Sequence, residues 1–289
     1  MSSQTAEHVS QSNIADAYDS EGFAFPLDIL SAAEAQALRN DLETAEAELK
    51  DAPEKLALLS SYPDRLLPSF DALIRHPKLL EAAAAVLGPD LMVWSASIFT
   101  KEANSPNIVS WHQDLTYWDL DDAEEVTGWV ALSPATRASG CMQFIAGSHK
   151  QRAVPHVDTF DENNLLSRGQ ELAVDVNQED AVYVELQPGQ ASLHHGHLFH
   201  ASDPNTTDDR RIASAIRYIR PSMKQSSGEK TLVAQVAGED RHGNFVVAGP
   251  PQGRLHEDDF VRCRHDSQIK RRLLYAGAED KAGQGKRYK

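Results

Sequence analysis

The chain has 289 residues, 41% of them hydrophobic, with 28 Lys+Arg against 43 Asp+Glu and a formal net charge of −15. That is enough apolar sequence for a folded core and too balanced a composition for a wholly disordered chain. The negative balance argues against sequence-independent nucleic-acid binding, which depends on basic surface, and no apolar run approaches the ~18 residues a membrane span needs.

The first residues, MSSQTAEHVSQSNIADAYDSEGF, are polar and lack the basic-then-apolar order of a secretory signal. Cys141 and Cys263 are the two cysteines, so no disulfide framework is expected and a reducing, cytoplasmic location fits. No Pro/Gly/Ser-rich linker and no internal repeat divides the chain, so one domain over residues 1–289 is expected. Ile29 and Leu30 lead into Ser31, with Glu34 three residues later. That pattern predicts a capping box opening a helix that runs to about Lys50. A second helix is predicted over Pro77–Leu87, stopped by Gly88-Pro89.

From there β-branched and aromatic residues dominate. Strands are predicted at Leu91–Lys101, Val126–Leu132, Cys141–Ile145, Ala181–Leu186, Ala191–His195 and Arg211–Ile219, separated by Gly/Pro/Asn/Asp turns. Helices first and short strands after indicate an α+β chain, with a strand-built sandwich or barrel carrying the site. On strand 91–101, alternation puts Trp94 and Ile98 on one face and Phe99 on the other, all three as core. Cys141 reads as a packing residue. The acid-rich stretch Asp119, Asp121, Asp122, Glu124, Glu125 reads as a solvated loop or helix start, or as a field that attracts a cationic substrate. Residues 226–260 match no pattern, and a lid is one reading of them. Residues 262–289 carry a net +6 against −21 for the rest. That tail reads as a solvated basic helix, with a docking strip for an acidic surface as the alternative.

Histidine is the informative residue type. His194, His195, His197 and His200 fall within seven positions, and His112 stands in Trp111-His112-Gln113-Asp114. In an extended strand residues two apart share a side, so His112 and Asp114 can face one ion together. With a distant His they form the two-His-one-carboxylate arrangement that suits non-haem Fe(II). Taken alone, His112 reads equally well as a hydrogen-bonded strand residue. On strand 211–219, Arg211, Ala213 and Ala215 share one face and Ile212, Ile216 and Tyr218 the other. An Arg among small residues fits a cavity with a guanidinium clamp for a carboxylate, or else an edge strand facing water. Arg217 shares that face, but six residues at ~3.3 Å each put it ~20 Å along, and it reads as structural. His195 and His197 share a side, and one of them is a candidate substrate group.

The segments WHQDLTYW (111–118), GWVALSPATRASGCMQFIAGSHK (128–150) and LHHGHLFHASDPNTTDDRRIASAIRY (193–218) resemble the phytanoyl-CoA dioxygenase family of Fe(II)- and 2-oxoglutarate-dependent oxygenases. The likeness spans residues 15–225 and leaves 226–289 as an unplaced C-terminal extension with the basic tail. It implies a double-stranded β-helix (a cupin-like jelly roll) with the N-terminal helices packed on it, in one catalytic domain. It implies His112, Asp114 and His200 as catalytic metal ligands. It implies Arg211 on the distal carboxylate of 2-oxoglutarate, Ser202 assisting it, and Trp129 lining the co-substrate pocket. Arg210 is expected at the surface. Tyr117, Trp118 and His195 are the candidate substrate residues, the two aromatics reading equally as core. A related halogenating branch replaces the carboxylate ligand by Ala or Gly, so Asp114 implies hydroxylation instead.

The implied cofactors are Fe(2+), 2-oxoglutarate as co-substrate, and O2. The implied reaction hydroxylates an aliphatic C–H of a small organic metabolite and releases succinate and CO2. Relatives act on acyl-CoA thioesters, amino acids and natural-product scaffolds, and the net negative charge favours a small polar substrate over a polyanionic thioester. No nucleic-acid or membrane partner is expected, and nothing in the pattern bears on oligomeric state. Two alternatives stand beside this reading. One is a halogenase-like oxidase, disfavoured by Asp114. The other is a non-catalytic jelly-roll metal- or ligand-binding protein, which has no need of Arg211.

Overall fold

In the computed structural model, residues 11–166 and 168–275 are described. α1 (Gln11–Glu21) leads into β1 (Phe23–Asp28), and α2 (Ala32–Glu48) begins at Ser31. There the Glu34 N–H donates to the Ser31 hydroxyl at 3.3 Å, and the Ser31 N–H donates to the Glu34 carboxylate at 2.7 Å. This is the expected capping box, which satisfies two otherwise orphaned donors. α3 (Pro53–Ser61), α4 (Pro63–Leu66), α5 (Pro68–Ile74) and α6 (Pro77–Leu87) each open on a proline. Its fixed φ suits a first helical turn and its missing N–H costs nothing there. α6 has the predicted bounds and stops at Gly88, at φ +86°.

The strands follow. They are β2 (Leu91–Lys101), β3 (Val109–His112), β4 (Glu125–Ala131), β5 (Met142–Ile145), β6 (His156–Asp158) and β7 (Gln170–Leu172). Then come β8 (Ala181–Val184), β9 (Gln190–His194), β10 (His200–Ser202), β11 (Arg211–Ile219), β12 (Leu232–Ala237) and β13 (Val246–Val247). A seven-stranded sheet in the order β1-β9-β4-β11-β2-β12-β13 and a four-stranded sheet in the order β3-β10-β5-β8 make up the sandwich, with β6-β7 as a separate pair.

The side-chain period of two divides the molecule into layers. On β11 and β4, Val126, Val130, Ile212, Ile216 and Tyr218 share one buried cluster with Leu38, Leu59, Phe70 and Leu79 of the helices. Each such aliphatic burial stabilises by about 1.5–3 kcal/mol. The opposite face presents Trp129, Ala131, Ala213 and Ala215 to Met142, Phe144 and Val184 of the four-stranded sheet. The small residues on this inner face leave room between the sheets, and the site lies there.

Alternation fails within β2. Arg217 pairs with Ser95 but Tyr218 with Val93, so β2 carries an extra residue at Trp94. Such a bulge flips the phase of the strand. Val93, Ala96 and Ile98 face the helices, while Trp94 joins Met92, Ile219 and Val233 in a separate cluster. The expectation that Trp94 and Ile98 share a face is corrected by this bulge.

The C-terminal region is also corrected. β12 pairs antiparallel with β2 and buries Val233 and Ala234, so this part of 226–260 extends the sheet and is no lid. α7 (Glu257–Tyr275) is docked by Phe260, Cys263 and Asp266, all buried, and so is not merely a solvated helix. The rest of the basic tail, 276–289, lies outside the described residues. Among the described residues no helix is long and apolar enough to cross a membrane.

Candidate active site

β3 ends at His112, and Asp114 follows in a helical conformation (φ −73°, ψ −50°) at the head of a 3-10 turn, Leu115–Tyr117. A strand end and turn therefore replace the extended His-x-Asp expected from the sequence, yet the side chains converge. His112 Nε2 lies 3.4 Å from Asp114 Oδ1. His200 is the register partner of His112 across β10 and β3, and its Nε2 lies 3.9 Å from the same oxygen. One donor atom from each of the three residues falls within 4.8 Å of the others.

The ring orientations are fixed from behind. His112 Nδ1 is 2.9 Å from the Ser110 carbonyl, and His200 Nδ1 is 2.9 Å from the Leu198 carbonyl. A carbonyl only accepts, so each Nδ1 carries the proton and each Nε2 keeps its lone pair for an ion. Burial, with His112 beside it, pulls His200 down to about 4, which favours the neutral ring a metal requires. Between the two motif ligands, Gln113 is fully buried and ties three loops together. Its amide donates to the carbonyls of Arg152 (2.6 Å) and His197 (2.7 Å), and its Oε1 accepts from the Val154 N–H (3.0 Å).

Arg211 opens β11 at the other end of the cavity, 3% exposed, with its guanidinium 5.3 Å from the Trp129 ring. Its Nε has no hydrogen-bond partner, and burial pulls the group down to about 10. Sequence reasoning missed the residue opposite. Lys101 is the register partner of Arg211 on β2 and is fully buried. Its Nζ donates to the Ser202 carbonyl at 3.0 Å and to the Asp203 carbonyl. Burial, then the Arg211 charge, pull it down to about 7. Like charges directly across a strand pair repel, so the two cations favour an anion between them. Ser202 and Trp129 line the same cavity as the three metal donors and Arg211.

Among the clustered histidines, the one that faces the site beside His200 is His194 and not His195. His194 opposes Thr127 across β9 and β4. It is buried, lines the cavity with its ring 5.2 Å from His200, and its Nδ1 has no partner. His195 points to the other side, against Tyr18 (5.6 Å) and His149 (5.3 Å), and is pulled down to about 3 by burial there. β9 ends at His194, and in the turn that follows the His195 and His197 rings lie side by side as expected, 5.4 Å apart.

Arg217 is more than structural. It lines the metal cavity, its guanidinium lies 5.5 Å from both the Phe99 and Trp118 rings, and it bonds to Ser97 Oγ and the Ala215 carbonyl at 3.1 Å each. Tyr117 and Trp118 line an adjoining cavity, which Arg217 also borders. Arg210 turns outward to Glu46 and Glu102, as expected.

The acid-rich stretch is a solvated loop only in part, because Asp121 and Asp122 are exposed and the other three carboxylates are not. Glu125 is fully buried, and burial, then the nearby Asp114 charge, push its carboxyl well up. Glu124 binds Arg220 and Ser222, while Asp119 and Asp121 accept from the backbone N–H groups of Ser227 and Lys224. These carboxylates serve the fold of the 220–227 loop rather than an approaching cation.

Two neutral imidazoles and a carboxylate on one side of an ion are a donor set suited to Fe(II), with positions left open for further ligands. The unpartnered Arg211 Nε beside a buried lysine fits the carboxylate of a bound 2-oxoglutarate. A sequence model of the family described as phytanoyl-CoA dioxygenase (PhyH) matches residues 18–213. A probable phytanoyl-CoA dioxygenase of Caenorhabditis elegans is 24% identical over 201 residues, 67% of this chain and 64% of that protein. A probable alpha-ketoglutarate-dependent hypophosphite dioxygenase of Stutzerimonas stutzeri is 27% identical over 184 residues, 62% of this chain and 63% of that protein. The chain thus spans less than two thirds of the length of both curated relatives. Among solved structures, the apo form of the non-heme monooxygenase ThoJ superposes with a TM-score of 0.83 at 31% identity, covering 92% of this chain and 99% of that one.

Proposed function

The chain belongs to the phytanoyl-CoA dioxygenase (PhyH) family, and from that premise we propose that it hydroxylates an aliphatic C–H of a small organic molecule, using Fe(II), 2-oxoglutarate and O2. The balance is R–H + O2 + 2-oxoglutarate → R–OH + succinate + CO2. When bound, the metal and the keto acid supply the oxidising power, while the protein supplies binding, orientation and a dry site. One observation carries the reading: three metal donors within 4.8 Å of one another share a cavity with a buried arginine whose Nε lacks a partner.

The chain's own groups divide the work. His112, Asp114 and His200 hold the metal, and Ser110 and Leu198 hold the two rings in the ligating tautomer. Arg211 takes the distal carboxylate of 2-oxoglutarate, with Lys101 adding charge from behind and Ser202 and Trp129 forming the walls. Asp114 keeps the carboxylate position filled, which favours hydroxyl transfer over halogenation. Tyr117 and Trp118 sit on the substrate side of the site.

The test is anaerobic addition of Fe(II) and 2-oxoglutarate, read by the visible charge-transfer band of the chelate, followed by O2-dependent succinate release. The wild type is expected to show both. Breaking a buried arginine–carboxylate pair costs about 3–5 kcal/mol, so Arg211→Ala is expected to raise the 2-oxoglutarate KM by about 100-fold or more. A wild-type protein that binds Fe(II) but gives neither band nor succinate would overturn the reading.

A further inference from the structure

A second cavity, of about 480 Å³, adjoins the metal site, a volume in the range of a pocket for one small organic molecule. It lies between β2, the 3-10 turn after Asp114 and α7, and Arg217 lines both it and the metal cavity. Its walls are aromatic. Trp94 and Trp118 contact each other with ring centroids 5.2 Å apart, and Tyr62 and Tyr117 also line the space. The bulge at Trp94 is what turns that indole to this side. Its Nε1 is engaged by Gln225 and Thr231 at 2.9 and 3.2 Å, so its polar edge is already satisfied.

The charge lining this cavity is opposite to that of the chain. Arg217, Lys270 and Arg271 border it, and among the described residues no aspartate or glutamate does, in a chain of net −15. Arg217 is 7% exposed and its Nε has no partner. Lys270 Nζ sits 4.7 Å from the Trp94 ring and 5.4 Å from the Tyr62 ring, anchored by Asp266 at 3.0 Å. Aromatic walls alone would also suit a quaternary ammonium. Lys270 is paired with Asp266 and donates to the Trp94 carbonyl at 3.0 Å, but the open Arg217 Nε and a lining of basic side chains without a carboxylate oppose that occupant and favour an anion.

Resting on the oxygenase reading above, we propose that this cavity is the substrate pocket and that it selects a small organic acid with a flat aromatic body. The rings hold the body, the Lys270–Arg271 end of α7 receives the acid group, and the opposite end reaches the Arg217 boundary with the metal site. This replaces the cationic substrate that the acid-rich stretch suggested, because Asp119, Asp121 and Glu124 are engaged by the 220–227 loop and none of the five carboxylates lines this cavity.

The test is calorimetric titration of the full-length protein, held anaerobically with Fe(II) and saturating 2-oxoglutarate so that the co-substrate site is filled. The probes are 2-naphthoate, its neutral amide, octanoate, and a naphthylmethyl trimethylammonium salt. A charge-assisted contact discriminates by roughly tenfold, so 2-naphthoate is expected to bind at least about tenfold tighter than its amide and the cation, and the aromatic walls are expected to favour it over octanoate. Arg271→Gln on the exposed face of α7, and separately Lys270→Met with its melting temperature checked, are expected to weaken 2-naphthoate. Arg271→Lys is expected to restore part of the loss. Equal affinity for acid and amide, preference for the cation, or naphthoate binding unchanged in both variants would overturn the proposal. The charge-transfer band is read in the same samples. Its absence with selective naphthoate binding intact would sink the oxygenase reading and leave the pocket's selectivity standing.

Discussion

Lys101 stands directly opposite Arg211 across the β2–β11 pair, and the two cations are buried together, with Lys101 Nζ held by backbone carbonyls and Arg211 Nε unpartnered. Burial and the Arg211 charge leave Lys101 at about 7. An incoming carboxylate reverses that and restores the charged form. The sign of the linkage follows. Below pH 7 the lysine is already mostly protonated, so binding 2-oxoglutarate takes up little or no proton there. At pH 8 roughly nine-tenths of it is neutral, and binding draws up to about one proton from solvent. Calorimetry in two buffers of different ionisation heat, at pH 6 and pH 8, reads this directly. Equal uptake at both pH values, or uptake at pH 8 that survives in Lys101→Met, would rule the coupling out.

The metal donors can be tested independently of the co-substrate. Partners behind a metal ligand are each worth about 10–100-fold in affinity, and the ligands themselves are worth more. Asp114→Ala and His200→Ala are therefore expected to lose more than about 100-fold in Fe(II) affinity and all measurable succinate formation. Circular dichroism should remain that of the folded protein, because the two residues belong to the cavity and to neither large apolar cluster. Wild-type turnover in Asp114→Ala would place the metal elsewhere.

Much of this was legible in the chain, for reasons that differ by element. Ser31 with Glu34, and Pro77 with Gly88, are local signals, and the helices they mark begin and end there. The strict alternation of Arg211–Ile219 survives because both faces of β11 are buried and a one-residue slip would invert them. What escaped was non-local. The bulge at Trp94 becomes visible only when β2 is laid against β11. Lys101 looks like an ordinary strand-end lysine until Arg211 is placed opposite it. His194 was passed over for His195 because the end of β9 decides which ring faces inward. The acid-rich stretch misled for the same reason: its partners, Arg220, Ser222 and Lys224, lie about a hundred residues away.

Gly140 joins the fold to the co-substrate site. It has φ +71°, and a Cβ there would lie 2.2 Å from the Asp203 carbonyl oxygen and 2.9 Å from that of Pro204. Both are backbone atoms that cannot rotate away, and Asp203 O is an acceptor for Lys101 Nζ. Gly243 provides the control, since it has φ +64° but a Cβ added to it would meet nothing within 4 Å. Gly243→Ala incurs only the positive-φ backbone cost of about 1–2 kcal/mol. Gly140→Ala adds displacement of the Asp203–Pro204 segment, and overpacking of this kind costs a further 1–3 kcal/mol or so. Gly140→Ala is thus expected to melt several degrees below Gly243→Ala, at about 2–4 °C per kcal/mol for a chain of this order of size. It should also raise the 2-oxoglutarate KM, which Gly243→Ala leaves unchanged. Equal melting temperatures and equal KM values in the two variants would show that the Gly140 contact neither strains the fold nor positions Lys101.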